Sequence, residues 1–216
     1  MKKFIAATCL LFATIIASAQ LQEGLALKYM VQPPTEKTAK TPVIILLHGY
    51  GSNELDLFEL KSIFPKNYLV ISARAPYPVG TQGYQWFSIG EANRSGEIEH
   101  SRTLVVKFIS EITSKYKADR EHVVLMGFSQ GAMMSYEVGL LNPGLVSGIA
   151  PLSGRLFGHL KQDIKASSPQ LKKLKIFIAH GTADERIKFA EGKAANDYLK
   201  SIGLNPEFHE YPGMGH

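Results

Sequence analysis

Ser129 stands in Gly127-Phe128-Ser129-Gln130-Gly131, directly after the apolar run HVVLMG and directly before QGAMMSYEVGLL, whose spacing is helical. A serine hydroxyl is a poor nucleophile until a base takes its proton, and a neutral histidine suits that task near about pH 7. The histidine in turn needs a carboxylate to hold its tautomer and to stabilise the imidazolium that forms. The chemistry such a set could perform is attack on a carbonyl carbon through a covalent acyl intermediate. Gly-x-Ser-x-Gly alone is a weak signal, and the bland alternative is a turn or helix-cap serine. A buried strand before it and a helix after it make it strong, because that is the setting of a nucleophile elbow. The turn forces the serine into a tight conformation, the glycines let two backbones approach, and the hydroxyl lies over a helix N-terminus that favours negative charge.

In such a sheet the acid and then the base follow the serine along the chain, on loops after later strands. KIFIAHGTADERI puts Asp184 three residues beyond the glycine that ends an apolar run, with Glu185 as the adjacent rival. PEFHEYPGMGH supplies a strand from Glu207 to Tyr211 and then His216. Among the other histidines, His100, His122 and His159 lie before the acid, and His48 and His180 end earlier strands. His209 lies inside the last strand. His216 alone combines the order with a loop position. An oxyanion needs two backbone N–H groups. Gln130, after the nucleophile, offers one, and the HGYGSNE loop offers the other, through Tyr50 or, failing it, Gly51.

The elements that must position these residues follow from hydrophobic period. Short apolar, β-branched runs at 42–49, 68–73, 122–127, 146–151 and 175–181 read as strands buried on both faces. Between them, SNELDLFELKSIF has Ser52 or Asn53 as its cap and Leu55, Phe58 and Ile63 on one face. HSRTLVVKFISEITSKY carries Leu104, Phe108, Ile112 and Tyr116 on a four-residue stride. QGAMMSYEVGLL and KFAEGKAANDYLKSIG are the other helices. LALKYMVQ at 25–32 alternates as an antiparallel edge strand would. Alternation of strand and helix predicts an α/β fold, a mostly parallel sheet with helices on both faces.

MKKFIAATCLLFATIIASAQ has Lys2 and Lys3, an apolar run from Phe4 to Ala17, and Ala17-Ser18-Ala19. This is the layout of a secretory signal peptide, so residues 1–19 are expected to be removed and residues 20–216 to form one domain. Export to the periplasm or medium follows, with no stable membrane anchor left. The single cysteine, Cys9, lies inside that segment, so the mature chain has neither a disulfide nor a thiol nucleophile. Loss of Lys2 and Lys3 lowers the formal charge from +5 to +3. The remaining Lys and Arg are interleaved with Glu, a solvated surface rather than a nucleic-acid patch.

LLHGYGSNE, QWFS, GFSQGAMMS, HGTADERI and YPGMGH together resemble the phospholipase/carboxylesterase branch of the α/β-hydrolases, which includes the acyl-protein thioesterases. The resemblance runs over nearly the whole mature chain. It implies a compact serine hydrolase with a minimal lid, no metal and no cofactor, acting on carboxylic esters and thioesters. Carried over, the nucleophile falls on Ser129, the acid on Asp184, the base on His216 and the oxyanion donors on Tyr50 and Gln130. Trp86 matches the family's Trp-Phe motif, and Trp86 and Phe87 are expected to border the substrate pocket. Ser88 stands where many members have Asp. The family continues past the histidine into a last helix, which this sequence lacks, so the expected fold is without it. The expected export favours small-molecule, lipid or polysaccharide esters as substrates, with acyl length and oligomeric state open. A serine peptidase on the same fold, or a non-catalytic binding module on a degenerate hydrolase fold, are the rival readings.

Overall fold

The computed structural model describes residues 20–36, 38–90 and 94–216, so the leader expected at 1–19 lies outside the described residues. The sheet core is built from the runs with the highest β-branched content. Strands β1 (Tyr29–Gln32), β2 (Val43–Leu47), β3 (Leu69–Ala73), β6 (Val123–Phe128), β7 (Gly148–Leu152), β8 (Lys175–Gly181) and β9 (Glu207–Tyr211) form one seven-stranded sheet in the order β1-β3-β2-β6-β7-β8-β9. The edge strand β1 is antiparallel to β3, and every other pairing is parallel. β4 (Tyr77–Val79) and β5 (Gly83–Gln85) form a separate hairpin. Every residue of β2 and β3 is buried, which is why both read as continuous apolar runs rather than alternating ones.

Helices cover both faces. α1 (Glu54–Phe58) packs Leu57 against Ile44, Leu46 and Val70. On the opposite face, α2 (Arg94–Lys115), α3 (Gln130–Leu141) and α5 (Phe189–Ser201) pack with Ile45, Leu47, Ile71, Leu125 and Ile178 into the main core. α3 is buried from Gln130 to Leu140 and is apolar around most of its circumference, as a central helix must be. α2 begins at Arg94 and buries Val105, Phe108, Ile109 and Ile112. A short α4 (Leu160–Asp163) lies in the segment that leaves the C-terminal end of β7.

One expected face is corrected. Leu55 and Ile63 are exposed, and Glu54, Leu57 and Phe58 turn inward. Asn53, not Ser52, caps the helix by accepting from the Leu55 amide, and after five residues the helix tightens into a 3-10 turn at Glu59–Ile63. The 3.6-residue stride cannot be extended through a segment whose period falls to about three.

The tightest packing lies where β6 passes into α3. A Cβ on Gly131 would come within 2.0 Å of the Leu47 carbonyl oxygen, and one on Gly127 within 2.1 Å of the Gly131 carbonyl oxygen. Both contacts are with backbone and cannot be relieved by a rotamer change. Gly131→Ala is therefore expected to lose about 3–5 kcal/mol of unfolding free energy, read from urea denaturation. A loss below about 1 kcal/mol would mean that α3 slides freely on β2.

Candidate active site

The elbow places Ser129 at φ 54° and ψ −112°, outside the helix that starts at the next residue. A non-glycine residue at positive φ is strained by about 1–3 kcal/mol and persists only where its surroundings over-determine it. Here they do. The Ser129 amide donates to the Leu152 carbonyl of neighbouring β7, and its own carbonyl accepts from the Met133 amide in α3.

The acid and the base arrive on adjacent loops, because β8 and β9 run parallel and side by side. Ala183 and Thr182 donate their amides to the carbonyls of Met214 and Tyr211, and the Thr182 hydroxyl oxygen accepts from the Gly213 amide. Gly181 has no room for a side chain, since a Cβ would stand 2.3 Å from the Met214 carbonyl oxygen. The turn before His216 is thus laced onto the loop that carries Asp184. His216 Nδ1 lies 2.7 Å from Asp184 Oδ2, and its Nε2 lies 2.9 Å from Ser129 Oγ. With Nδ1–H donating to the carboxylate, Nε2 is left to accept the serine proton. The Phe128 ring lies 4.9 Å from the imidazole, centre to centre.

Asp184 is buried, and its Oδ1 accepts the amides of Arg186 and Ile187 at 2.9 Å each. Burial pushes its pKa up, but the bond from His216 and the two amides outweigh it, so the carboxyl is held below its ordinary range. Glu185, the rival, is exposed. His180, near the end of β8, shapes the loop that carries Asp184. Its Nε2 donates to the Ile187 carbonyl at 2.8 Å and approaches Asp184 Oδ2 at 3.3 Å. Gly192 in α5 makes the room, because a Cβ there would meet His180 Nδ1 at 2.4 Å.

On the other side of Ser129 lies the Gly49–Asn53 loop. The Gly51 amide is already committed to the Tyr84 carbonyl, whereas the Tyr50 and Gln130 amides have no partner among the described residues. That separates Tyr50 from Gly51 as the candidate oxyanion donor, a choice the sequence had left open. His48 shapes this loop. It is fully buried, its Nδ1 donates to the Gly49 carbonyl at 2.7 Å and its Nε2 accepts the Ala75 amide at 3.1 Å. Burial lowers its pKa, so the ring stays neutral and keeps this tautomer.

A cleft of about 420 Å³ opens over Ser129, bordered by Phe87, Phe128, Met133 and Ile187. Of the two expected pocket residues, Phe87 lines it and Trp86 does not. Trp86 is fully buried; its Nε1 donates to the His48 carbonyl and its amide donates to Gln130 Oε1. Gln130 Nε2 donates in turn to the Phe87 carbonyl at 2.6 Å. The Trp-Phe segment is thus a strut fixed by the Gln130 side chain, a role invisible in sequence because the partners lie 43 and 44 residues apart. Ser88 meets its own anchor, donating its amide to Glu97 Oε2 at 2.5 Å.

A model of the phospholipase/carboxylesterase family matches residues 28–216. The chain belongs to that family. It is 30% identical over 218 residues to acyl-protein thioesterase 1 of Mycosarcoma maydis, covering 88% of this chain and 90% of that protein. It is 32% identical to carboxylesterase SOBER1 of Arabidopsis thaliana, covering 80% of this chain and 82% of the relative. The crystal structure of the Bacillus cereus carboxylesterase superposes with a TM-score of 0.74 at 26% identity, covering 88% of this chain and 86% of that one. The fold is an α/β-hydrolase.

Two measurable consequences follow within this family member. Gln130→Leu leaves the Trp86 amide and the Phe87 carbonyl without their partner, and is expected to cost about 1–3 kcal/mol for each group that stays buried, read as a lowered melting temperature; an unchanged melt would mean that the strut is held elsewhere. The second consequence is a pH effect. Glu54 and Arg74 form a bidentate pair at 2.6 Å beside the oxyanion loop. Burial raises the Glu54 pKa most, but the bonds from Arg74 and from the main chain, with the charge of Arg74, together outweigh it, and the carboxyl is held below its ordinary 4.5. Its contribution to stability is therefore present above that value and lost as pH falls through the lower folded-state pKa. The wild-type chain should lose stability as pH falls below the ordinary carboxylate value of 4.5, and Glu54→Gln should flatten that loss while being less stable at neutral pH. An identical slope in the variant, by denaturation at a series of pH values, would remove Glu54 from the account.

Proposed function

We propose that the protein is a serine hydrolase that cleaves carboxylic esters, with thioesters as a second substrate type, through an acyl-enzyme on Ser129. The observation that carries this reading is the continuous hydrogen-bonded chain from Ser129 Oγ through both nitrogens of His216 to Asp184, at 2.9 and 2.7 Å. The chain's likeness to a carboxylesterase and to an acyl-protein thioesterase supports this reading.

In the proposed sequence Ser129 Oγ adds to the carbonyl carbon as its proton passes to His216 Nε2, and Asp184 stabilises the imidazolium. The amides of Tyr50 and Gln130 receive the oxyanion, and Gln130 does so as the first residue of α3, where the helix dipole assists. His216 then protonates the departing alkoxide or thiolate as the carbonyl–leaving-group bond breaks. Water attacks the acyl-enzyme, gives its proton to the same histidine, and the acid leaves as Ser129 is restored. The apolar walls at Phe87, Phe128 and Met133 suit an acyl chain and exclude water from the charged intermediate. The basic, apolar and Ala-x-Ala sequence of residues 1–19 supports export, so esters met outside the cytoplasm are the proposed natural substrates.

Ser129→Ala is expected to abolish hydrolysis of para-nitrophenyl esters and labelling by a fluorophosphonate probe. Asp184→Asn should keep the fold and lower kcat by about 10⁴-fold. Labelling retained in Ser129→Ala, or full turnover in Asp184→Asn, overturns the assignment.

A further inference from the structure

The cleft over Ser129 is apolar at its floor, yet Arg94, Arg155 and Arg186 also line it. The carboxylate among its lining residues besides these cations is Asp56, which already accepts from the Ser52 hydroxyl at 2.7 Å. The Arg94 guanidinium donates to the Ile89 carbonyl. Arg155 and Arg186 make no ion pair and no side-chain hydrogen bond among the described residues. Partly buried arginines elsewhere are matched, since Arg74 pairs with Glu54 and Arg102 with Glu137.

Arg155 is the informative one. It follows β7 by three residues, next to the strand that ends at the elbow. Its base is fixed, because the Ser153 amide donates to the Ala179 carbonyl, and Gly154 packs so closely on α3 that a Cβ would lie 2.5 Å from the Ala132 Cβ. Its guanidinium carbon lies 5.7 Å from the centre of the Phe157 ring, and its Nε is buried with no partner among the described residues. A guanidinium withdrawn from water without a partner is costly, and its planar fork matches a carboxylate or a phosphate in two parallel bonds. A freely solvated arginine, as Arg186 could be by its exposure, would not keep Nε out of solvent.

We propose that this cleft selects esters that carry an anionic group, a carboxylate or phosphate, on an otherwise apolar body, with Arg155 as the anchor and Arg186 as its neighbour. The inference rests on the ester-hydrolase reading of the same cleft and names its substrate class. The anion can sit on the acyl part or on the alcohol, and paired substrates separate the two. Para-nitrophenyl hydrogen adipate is compared with para-nitrophenyl hexanoate for the acyl side. The hexanoyl ester of para-hydroxybenzoate is compared with phenyl hexanoate for the alcohol side.

In at least one pair the anionic ester is expected to have about a tenfold higher kcat/KM, carried mainly by KM. That ratio should fall towards one in Arg155→Gln and be partly retained in Arg155→Lys. Because a replacement at a half-buried position can disturb folding, the wild-type chain supplies a second measurement. The preference should shrink as salt is raised to about 0.5 M. Equal or inverted preference in both pairs, or a preference that survives Arg155→Gln in a folded protein, overturns the proposal. If the wild-type chain turned over no ester and took no fluorophosphonate, the hydrolase reading would be the one to fail. The anion site would still be measured by calorimetric binding of levulinate against methyl propyl ketone. Tighter binding of levulinate, lost in Arg155→Gln, supports the site, and equal binding removes it.

Discussion

The backbone contact between Gly127, Gly131 and Leu47 is the constraint on which the rest of the site depends. It lets α3 press onto β2 and β6 with no side chain between them. Between the two glycines the chain leaves β6 through a residue at positive φ, Ser129. The strain there is balanced by the bonds of Ser129 to β7 and to the first turn of α3, so the hydroxyl and the helix N-terminus share one rigid origin. Gln130, fixed by the same contact, extends it outward by holding the Trp86–Phe87 strut through its side chain.

Around this origin the other groups are positioned in pairs rather than singly. The turn 211–214 and the loop 181–184 hold one another through main-chain bonds, so His216 and Asp184 are set by a single interlocked piece. The loop at Gly49–Asn53 is braced in the same manner. Main-chain bonds join it to β5, the Arg74 guanidinium reaches both Glu54 and the Tyr84 hydroxyl, and the neutral His48 ties Gly49 to Ala75. Preorganised donors of this kind stabilise developing charge without having to reorient during the reaction. The arginines along the cleft add a field to this frame. Charges set beside apolar walls are less screened than they would be at an open surface.

Legibility in the sequence followed the range of the interaction. The strands at 43–47, 69–73, 123–128 and 175–181 were readable because burial on both faces leaves an unbroken apolar run. β9 at 207–211 was readable from its place before a turn. α2 was readable from its four-residue stride, and α3 from its place directly after the elbow. The face of α1 was misjudged because a five-residue helix that tightens to a 3-10 turn has no stable stride. The hairpin β4–β5 was not legible, since two three-residue strands carry almost no pattern and depend on the bridge from Tyr84 to Ser52.

By itself the sequence determined the order serine, acid, histidine, the strand–elbow–helix setting of Ser129 and the parallel sheet that holds them, because each of these is written in neighbouring residue types. Only the tertiary structure decided that Tyr50 rather than Gly51 keeps an amide with no partner among the described residues, and that Trp86 is a buried strut while Phe87 faces the cleft. It alone brought His180 to the acid loop and left Arg155, in the cleft over Ser129, without a carboxylate partner among the described residues. These depend on which hydrogen bonds are already taken and which side chains meet across tens of residues, and no local pattern of residue types encodes either.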